Sequence, residues 1–113
     1  MISKRVPIQD PLEFIRQCVV EKRMYWTYHV TMRMERRSIS RQMILESVES
    51  YDLVESYPDD KYLPSYLVWA RHGEEIFHIL FATDVANHNV RIVTAYRPNP
   101  EEWERGYKRR QVR

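Results

Sequence analysis

Apolar residues recur with a helical period in the first half of the chain and with a strand period in the second. Asp10-Pro11-Leu12-Glu13 reads as a helix start: Asp10 caps, Pro11 suits the first helical position, and Glu13 reaches back toward the cap. Leu12, Ile15, Val19 and Val20 follow at helical spacing, so a first helix is expected from about Pro11 to Arg23. Trp26, Val30 and Met34 are spaced i, i+4, i+8 and predict the inward stripe of a second helix. His29 and Arg33 lie beside that stripe and are expected to face inward at the rim of the fold, with Arg37 projecting near the same edge. Ser38-Ile39-Ser40 interrupts, and Ser40 caps a third helix with Met43, Ile44, Val48 and Tyr51 inward.

After Asp52 the period changes. Strands are expected over Leu53–Tyr57, Tyr66–Arg71, Ile76–Ala82 and Val90–Tyr96. Pro58-Asp59-Asp60, a hairpin at His72-Gly73-Glu74-Glu75 and a turn over Asp84–Asn89 separate them. Ile76–Ala82 is apolar on both faces apart from His78, the pattern of a central strand covered on two sides. Simple alternation puts Ile92, Thr94 and Tyr96 on one face of the last strand and Val93 and Ala95 on the other. Pro98 and Pro100 end it, and a basic tail with Trp103 and Tyr107 follows over about 98–113. Helices first and an antiparallel meander after them predict an α+β domain, with N-terminal helices packed on one face of an antiparallel β-sheet.

At 113 residues the chain fits one domain spanning 1–113. Its 2 glycines exclude a Gly-rich phosphate loop. No apolar run approaches the roughly 20 residues of a membrane helix, and Met1–Pro7 lacks the apolar stretch of a secretory signal. The single cysteine, Cys18, excludes a disulfide framework. A soluble, cytoplasmic protein with no membrane partner is expected. The net charge of +2 hides a segregation. Arg33, Arg36, Arg37 and Arg41 face Glu35 alone, the charged residues from Gln42 to Asp60 are all acidic, and the tail turns basic with Lys108, Arg109 and Arg110. Such sorting builds a basic surface on a nearly neutral protein, one footprint of nucleic-acid binding. Two solvated helix faces and a frayed tail would give the same pattern.

The four histidines do not make a metal site: no pair sits at i, i+4 on one helix, and neither HExxH nor CxxC occurs. No metal and no other cofactor is expected. Cys18 reads as a small buried hydrophobe, and no Gly-x-Ser-x-Gly marks a nucleophile. The remaining constellation is His29, Arg33 and Arg37 on the second helix, His78 on the central strand, and Thr94 and Tyr96 on the last. Metal-free RNA cleavage needs such a set: a base for the 2′-OH proton, an acid for the leaving 5′-oxygen, and a cation for the phosphorane charge. Arginine suits the last task because its planar fork pairs two phosphate oxygens and stays charged. Each residue also has an ordinary structural reading. His78 reads equally as a satisfied core histidine, Arg33 and Arg37 as partners of Glu46, Glu49 or Asp52, and Thr94 and Tyr96 as strand formers that simply pack.

The segment His29-Val30-Thr31-Met32-Arg33-Met34-Glu35-Arg36-Arg37-Ser38-Ile39-Ser40 resembles the His-Ala-x-x-Arg-Met-x-x-Arg-Gly-Ile-Ser signature of a large family of small bacterial and archaeal proteins. Pro58-Asp59-Asp60-Lys61, Pro64-Ser65-Tyr66-Leu67-Val68, Ile76-Phe77-His78-Ile79 and Val93-Thr94-Ala95-Tyr96-Arg97-Pro98 resemble its later blocks. Val30 replaces the usual Ala and Ser38 the usual Gly, which leaves open the turn after the helix. The resemblance implies a fold like the RelE, HigB and MqsR toxins, with helices over a curved antiparallel sheet. It also implies a toxin of a type II toxin–antitoxin pair, a metal-independent endoribonuclease cleaving mRNA. The partner it implies is an antitoxin with a zinc finger and a helix-turn-helix. Carried over by residue, His29, Arg33, His78 and Tyr96 become catalytic candidates. Arg37 and Thr94 become substrate-binding candidates, and the basic charge of the tail adds Lys108, Arg109 and Arg110 as residues that would follow the RNA backbone. The other expectation is a non-catalytic RNA- or protein-binding module on the same scaffold.

Overall fold

A computed structural model of the chain describes residues 10–112. The Met1–Pro7 segment considered above as a possible signal lies outside the described residues. The elements run α1 (Pro11–Val20), β1 (Met24–Trp26), α2 (Tyr28–Arg36), α3 (Arg41–Glu46), a 3-10 turn (Val48–Ser50), β2 (Asp52–Tyr57), β3 (Ser65–His72), β4 (Glu75–Asp84) and β5 (Asn89–Tyr96). The five strands form one sheet in the order β1-β5-β4-β3-β2. The fold is α+β as expected. The meander from β2 to β5 is antiparallel, and β1 adds to β5 in parallel, so the sheet is mixed. No helix among the described residues is long and apolar enough to cross a membrane.

The helix starts follow the side chains that cap them. Asp10 accepts the Glu13 amide at 3.0 Å, Thr27 the Val30 amide at 3.1 Å, and Ser40 the Met43 amide at 3.1 Å. The second helix departs from expectation at its start. Trp26 lies in β1, paired with Ile92, and Thr27 caps the helix after it. The i, i+4, i+8 stripe is therefore a strand residue followed by two helical ones. Val30 and Met34 do point into the core. The chain leaves this helix through Ser38, whose φ of 57° is left-handed. The Ile39 amide returns to the Met34 carbonyl and the Ser38 amide to Glu35, closing a Schellman cap without the usual glycine. The hairpin between β3 and β4 turns at Gly73, whose φ is 63°.

All three helices pack on one face of the sheet. Ile15, Cys18, Val30, Met34 and Ile44 meet Val68, Phe77, Ile79, Phe81, Ile92 and Ala95 there. Burial pushes the Cys18 thiol up to about 11, so it is an inert core group. Two register shifts decide what faces the other side. One lies between Leu53 and Glu55 in β2, the other in β5 opposite Leu80 and Phe81. Ile92 pairs with Phe81 and Thr94 with Leu80, so Val93 is the extra residue of a bulge. This corrects the expected alternation. Ile92 and Ala95 share the helix-covered face, and Thr94 and Tyr96 lie on the opposite one beside Leu80 and His78.

That opposite face is covered in part by the segment after β5, which folds back as a small hairpin. Trp103 and Arg110 form an antiparallel bridge, with left-handed Gly106 and Tyr107 at the turn. Trp103 is buried against the His78 ring, centroids 4.6 Å apart and nearly perpendicular. The Trp69 indole donates to the Gly106 carbonyl at 2.8 Å. Trp103 anchors this second core. Trp103→Ala should therefore lower unfolding stability by about 3 kcal/mol, read from urea denaturation. A loss below about 1 kcal/mol would show that the hairpin lies loosely on the sheet.

Candidate nucleic-acid interface

The sheet has an open edge where β5 continues past β1. β1 pairs only with Val90–Ile92, so the remaining edge of β5 needs another cover. Arg37, just past the end of α2, supplies it. Its guanidinium donates to the Ala95 carbonyl at 2.8 Å and to the Thr94 hydroxyl at 3.3 Å. Arg97 secures the same corner from below. It donates to the Arg37 carbonyl, to the Ser38 carbonyl at 3.2 Å and to Glu75 at 2.7 Å. Arg97 was not among the sequence candidates, and its place one residue beyond the strand was the only cue.

The candidates separate into three groups. Arg37 and Thr94 are in contact, and Tyr96 stands on the same face of β5 as Thr94. His29 and Arg33 are exposed, not turned inward as the Trp26–Val30–Met34 stripe implied. Their helix starts later than that stripe required. Arg33 still precedes Arg37 by one helical turn, so both project along one edge. Among the described residues, the one ring partner of His29 is Tyr28, centroids 6.0 Å apart. Among the described residues, no hydrogen bond or ion pair reaches the side chains of His29, Arg33 or Arg36. Arg37 and Arg41 make hydrogen bonds to neutral groups only. Neither Arg33 nor Arg37 pairs with Glu46, Glu49 or Asp52.

The tail cations are placed differently. Lys108 sits 2.9 Å from Asp52 and 4.2 Å above the Trp69 ring. Arg110 makes two bonds to Glu55, at 2.7 and 3.2 Å, and covers Trp103 at 4.4 Å. Arg109 is exposed and free of such pairs among the described residues. The bulge in β2 makes this arrangement possible. Asp52 lies opposite Trp69 and Glu55 opposite Leu67, so both carboxylates sit under the hairpin. Two residues three apart on a regular strand would face opposite sides.

His78 is fully buried beneath this hairpin. One ring nitrogen, Nε2, lies 2.7 Å from the Tyr107 carbonyl. A carbonyl only accepts, so Nε2 carries the proton, and buried Nδ1 is left without a partner in the structure. Burial holds the imidazole below the usual histidine range, against the opposing pull of the Tyr107 carbonyl and Glu55. Burial likewise raises the Tyr96 phenol, keeping its proton in place at neutral pH. Tyr96 packs edge-on against His78, centroids 5.6 Å apart. Hydrogen bonding from Arg110 holds the Glu55 carboxyl below its ordinary value.

These two shifts set a pH dependence. Below the ordinary histidine value of about 6.5 the unfolded chain takes up a proton that folded His78 refuses, so stability falls between pH 7 and 5. The Glu55 contribution is complete above the ordinary carboxylate range and is lost as pH drops through its lower folded value. His78→Phe should flatten the fall in melting temperature between pH 7 and 5 and keep the acid loss below pH 4. Parallel pH profiles for both proteins would show that His78 is not held neutral.

Comparison with known proteins gives one family. No curated protein and no solved structure matches the chain. A family model described as a domain of unknown function, DUF4258, matches residues 26–97. The match runs from Trp26 in β1 to Arg97 at the corner of the α2–β5 edge, and the hairpin that carries Trp103 lies outside it. With more than half of its length matched, the chain belongs to the DUF4258 family.

Proposed function

We propose that this protein is the toxin of a type II toxin–antitoxin pair, a metal-independent endoribonuclease that holds the RNA backbone on the α2–β5 edge. The observation that carries the reading is the sorting of charge. Lys108 and Arg110 are matched by Asp52 and Glu55, whereas Arg33, Arg36 and Arg37 have no carboxylate within ion-pair distance among the described residues. An arginine row left without an anion attracts phosphates, and the guanidinium fork fits them. The resemblance of His29–Ser40 to the toxin-like signature supports the same assignment.

In this reading Arg33 and Arg37 bind the scissile phosphate, and Thr94 orients Arg37. His29, solvated one turn before Arg33, removes the 2′-OH proton, and the 2′-oxygen attacks phosphorus. The 5′-oxygen leaves with a proton from the Tyr96 hydroxyl. His78 stands behind Tyr96 and holds its ring. Of the tail cations, Arg109 remains available to trail the backbone. An antitoxin would mask the row with carboxylates. One observation favours the second reading, a non-catalytic RNA- or protein-binding module: His78 offers neither ring nitrogen to a substrate.

Induced expression in a bacterial host, with growth and total RNA followed together, separates the two. Growth arrest with RNA fragmentation is expected, and cleavage by the purified protein should survive EDTA. Activity lost to EDTA and restored by magnesium would overturn the metal-free mechanism. Intact RNA at high expression would favour the binding module. Because His29 and Arg33 contribute little to packing, His29→Gln and Arg33→Ala should melt within about 0.5 kcal/mol of the parent. They should also lose about 10²-fold or more in cleavage rate. Unchanged toxicity in both would remove them from the mechanism.

A further inference from the structure

A groove of about 470 Å³ opens beside the arginine row. It is lined by Thr27 and Val30 at the start of α2, Val93 of β5, Tyr62 and Leu63 in the β2–β3 connection, and Ala82 of β4. We propose that this groove holds one unstacked nucleobase, so that the RNA bound at the α2–β5 edge is single-stranded. The inference rests on the RNA reading above and adds to it the form of the substrate.

Four features point to a flat heterocycle. The lining is largely apolar, and Ala82 contributes to it no more than a single methyl. Tyr62 is 83% exposed, an aromatic ring at the groove whose one ring contact among the described residues is Lys61, 5.4 Å from its centroid. An exposed ring of this kind stacks on any base, because every base has a π-face. The β5 bulge turns Val93 out of the alternation, and it stands 44% exposed as the opposite apolar surface. Thr27 accepts the Val30 amide through its oxygen, which leaves its O–H free to donate to a base edge.

Charge and spacing join the groove to the phosphate edge. Lys61 and Arg91 line it. Arg91 lies 3.7 Å from Asp84, and the Asp60 carboxylate accepts the Ser65 hydroxyl. Thr94, which meets Arg37, follows Val93 directly, about 3.3 Å along the strand. A base lying against Val93 therefore puts its own backbone beside Arg37. A duplex cannot do this, since its bases are stacked and paired out of reach.

Fluorescence anisotropy with three labelled probes of equal length tests the proposal: a single-stranded 2′-O-methyl RNA that resists cleavage, an abasic strand with the same phosphates, and an RNA duplex. The native protein should bind the single strand about tenfold more tightly than the abasic strand and should also prefer it to the duplex. Tyr62→Ser, at an exposed position, and Ala82→Phe, which sets a ring in the lining, should each abolish that preference and leave the salt dependence unchanged. Arg37→Ala should weaken all three probes. Equal binding of the single-stranded and abasic probes by the native protein, or a preference that survives both groove variants, would overturn the base pocket while the phosphate edge stands. No binding of any probe would overturn the RNA reading and this inference together.

Discussion

Two single-residue bulges organise this molecule. Side chains on a regular strand alternate strictly, so one extra residue exchanges every position after it between the two faces. In β5 the bulge at Val93 lets the strand give Ile92 and Ala95 to the helix-packed core and still present Thr94 and Tyr96 on the other face. In β2 the shift between Leu53 and Glu55 gives Leu53 to the helix side and brings Asp52 and Glu55 together beneath the C-terminal hairpin. The first places the hydroxyls near Arg37. The second supplies the anions that hold the hairpin down.

The electrostatics follow from that geometry. The chain carries two basic regions of similar composition, and the fold treats them oppositely. Lys108 and Arg110 meet carboxylates and indole faces, and their contribution is to docking the hairpin. Among the described residues, Arg33 and Arg36 of α2 meet no hydrogen-bond or ion-pair partner, and Arg37 just past it meets neutral oxygens. An unmatched row next to an open strand edge and an apolar groove is a poor use of charge for stability alone, because exposed pairs contribute only fractions of a kcal/mol and unmatched like charges repel. It is a good arrangement for a polyanion whose bases need somewhere to go.

Much of the architecture was legible in the sequence. Asp10-Pro11, Ser40 and the hairpin at Gly73 act through local geometry, and local geometry is what a sequence displays. The readings that changed depended on distant partners. Trp26 fits a helical stripe by spacing, but parallel pairing with Ile92 draws it into a strand. The Val93 bulge leaves no mark in the alternation, since Val93, Thr94, Ala95 and Tyr96 suit either face. His78 was rightly the polar exception of a central strand, and only the folded hairpin reveals that it lies under Trp103 with its proton on Nε2. Tyr62 and Ala82 attracted no notice, because a loop tyrosine and a strand alanine gain meaning only across a groove.

On the proposed reading, RNA meets the unmatched arginines at the α2–β5 edge and not the paired cations of the tail. Resonances of the backbone amides and arginine Nε groups, followed by NMR as an uncleavable single-stranded RNA is added, test it residue by residue. The account predicts shifts at Arg33, Arg37, Thr94 and Tyr62, with the Arg110 Nε signal unmoved in its pairing with Glu55. Shifts confined to Lys108, Arg109 and Arg110, with α2 silent, would contradict it.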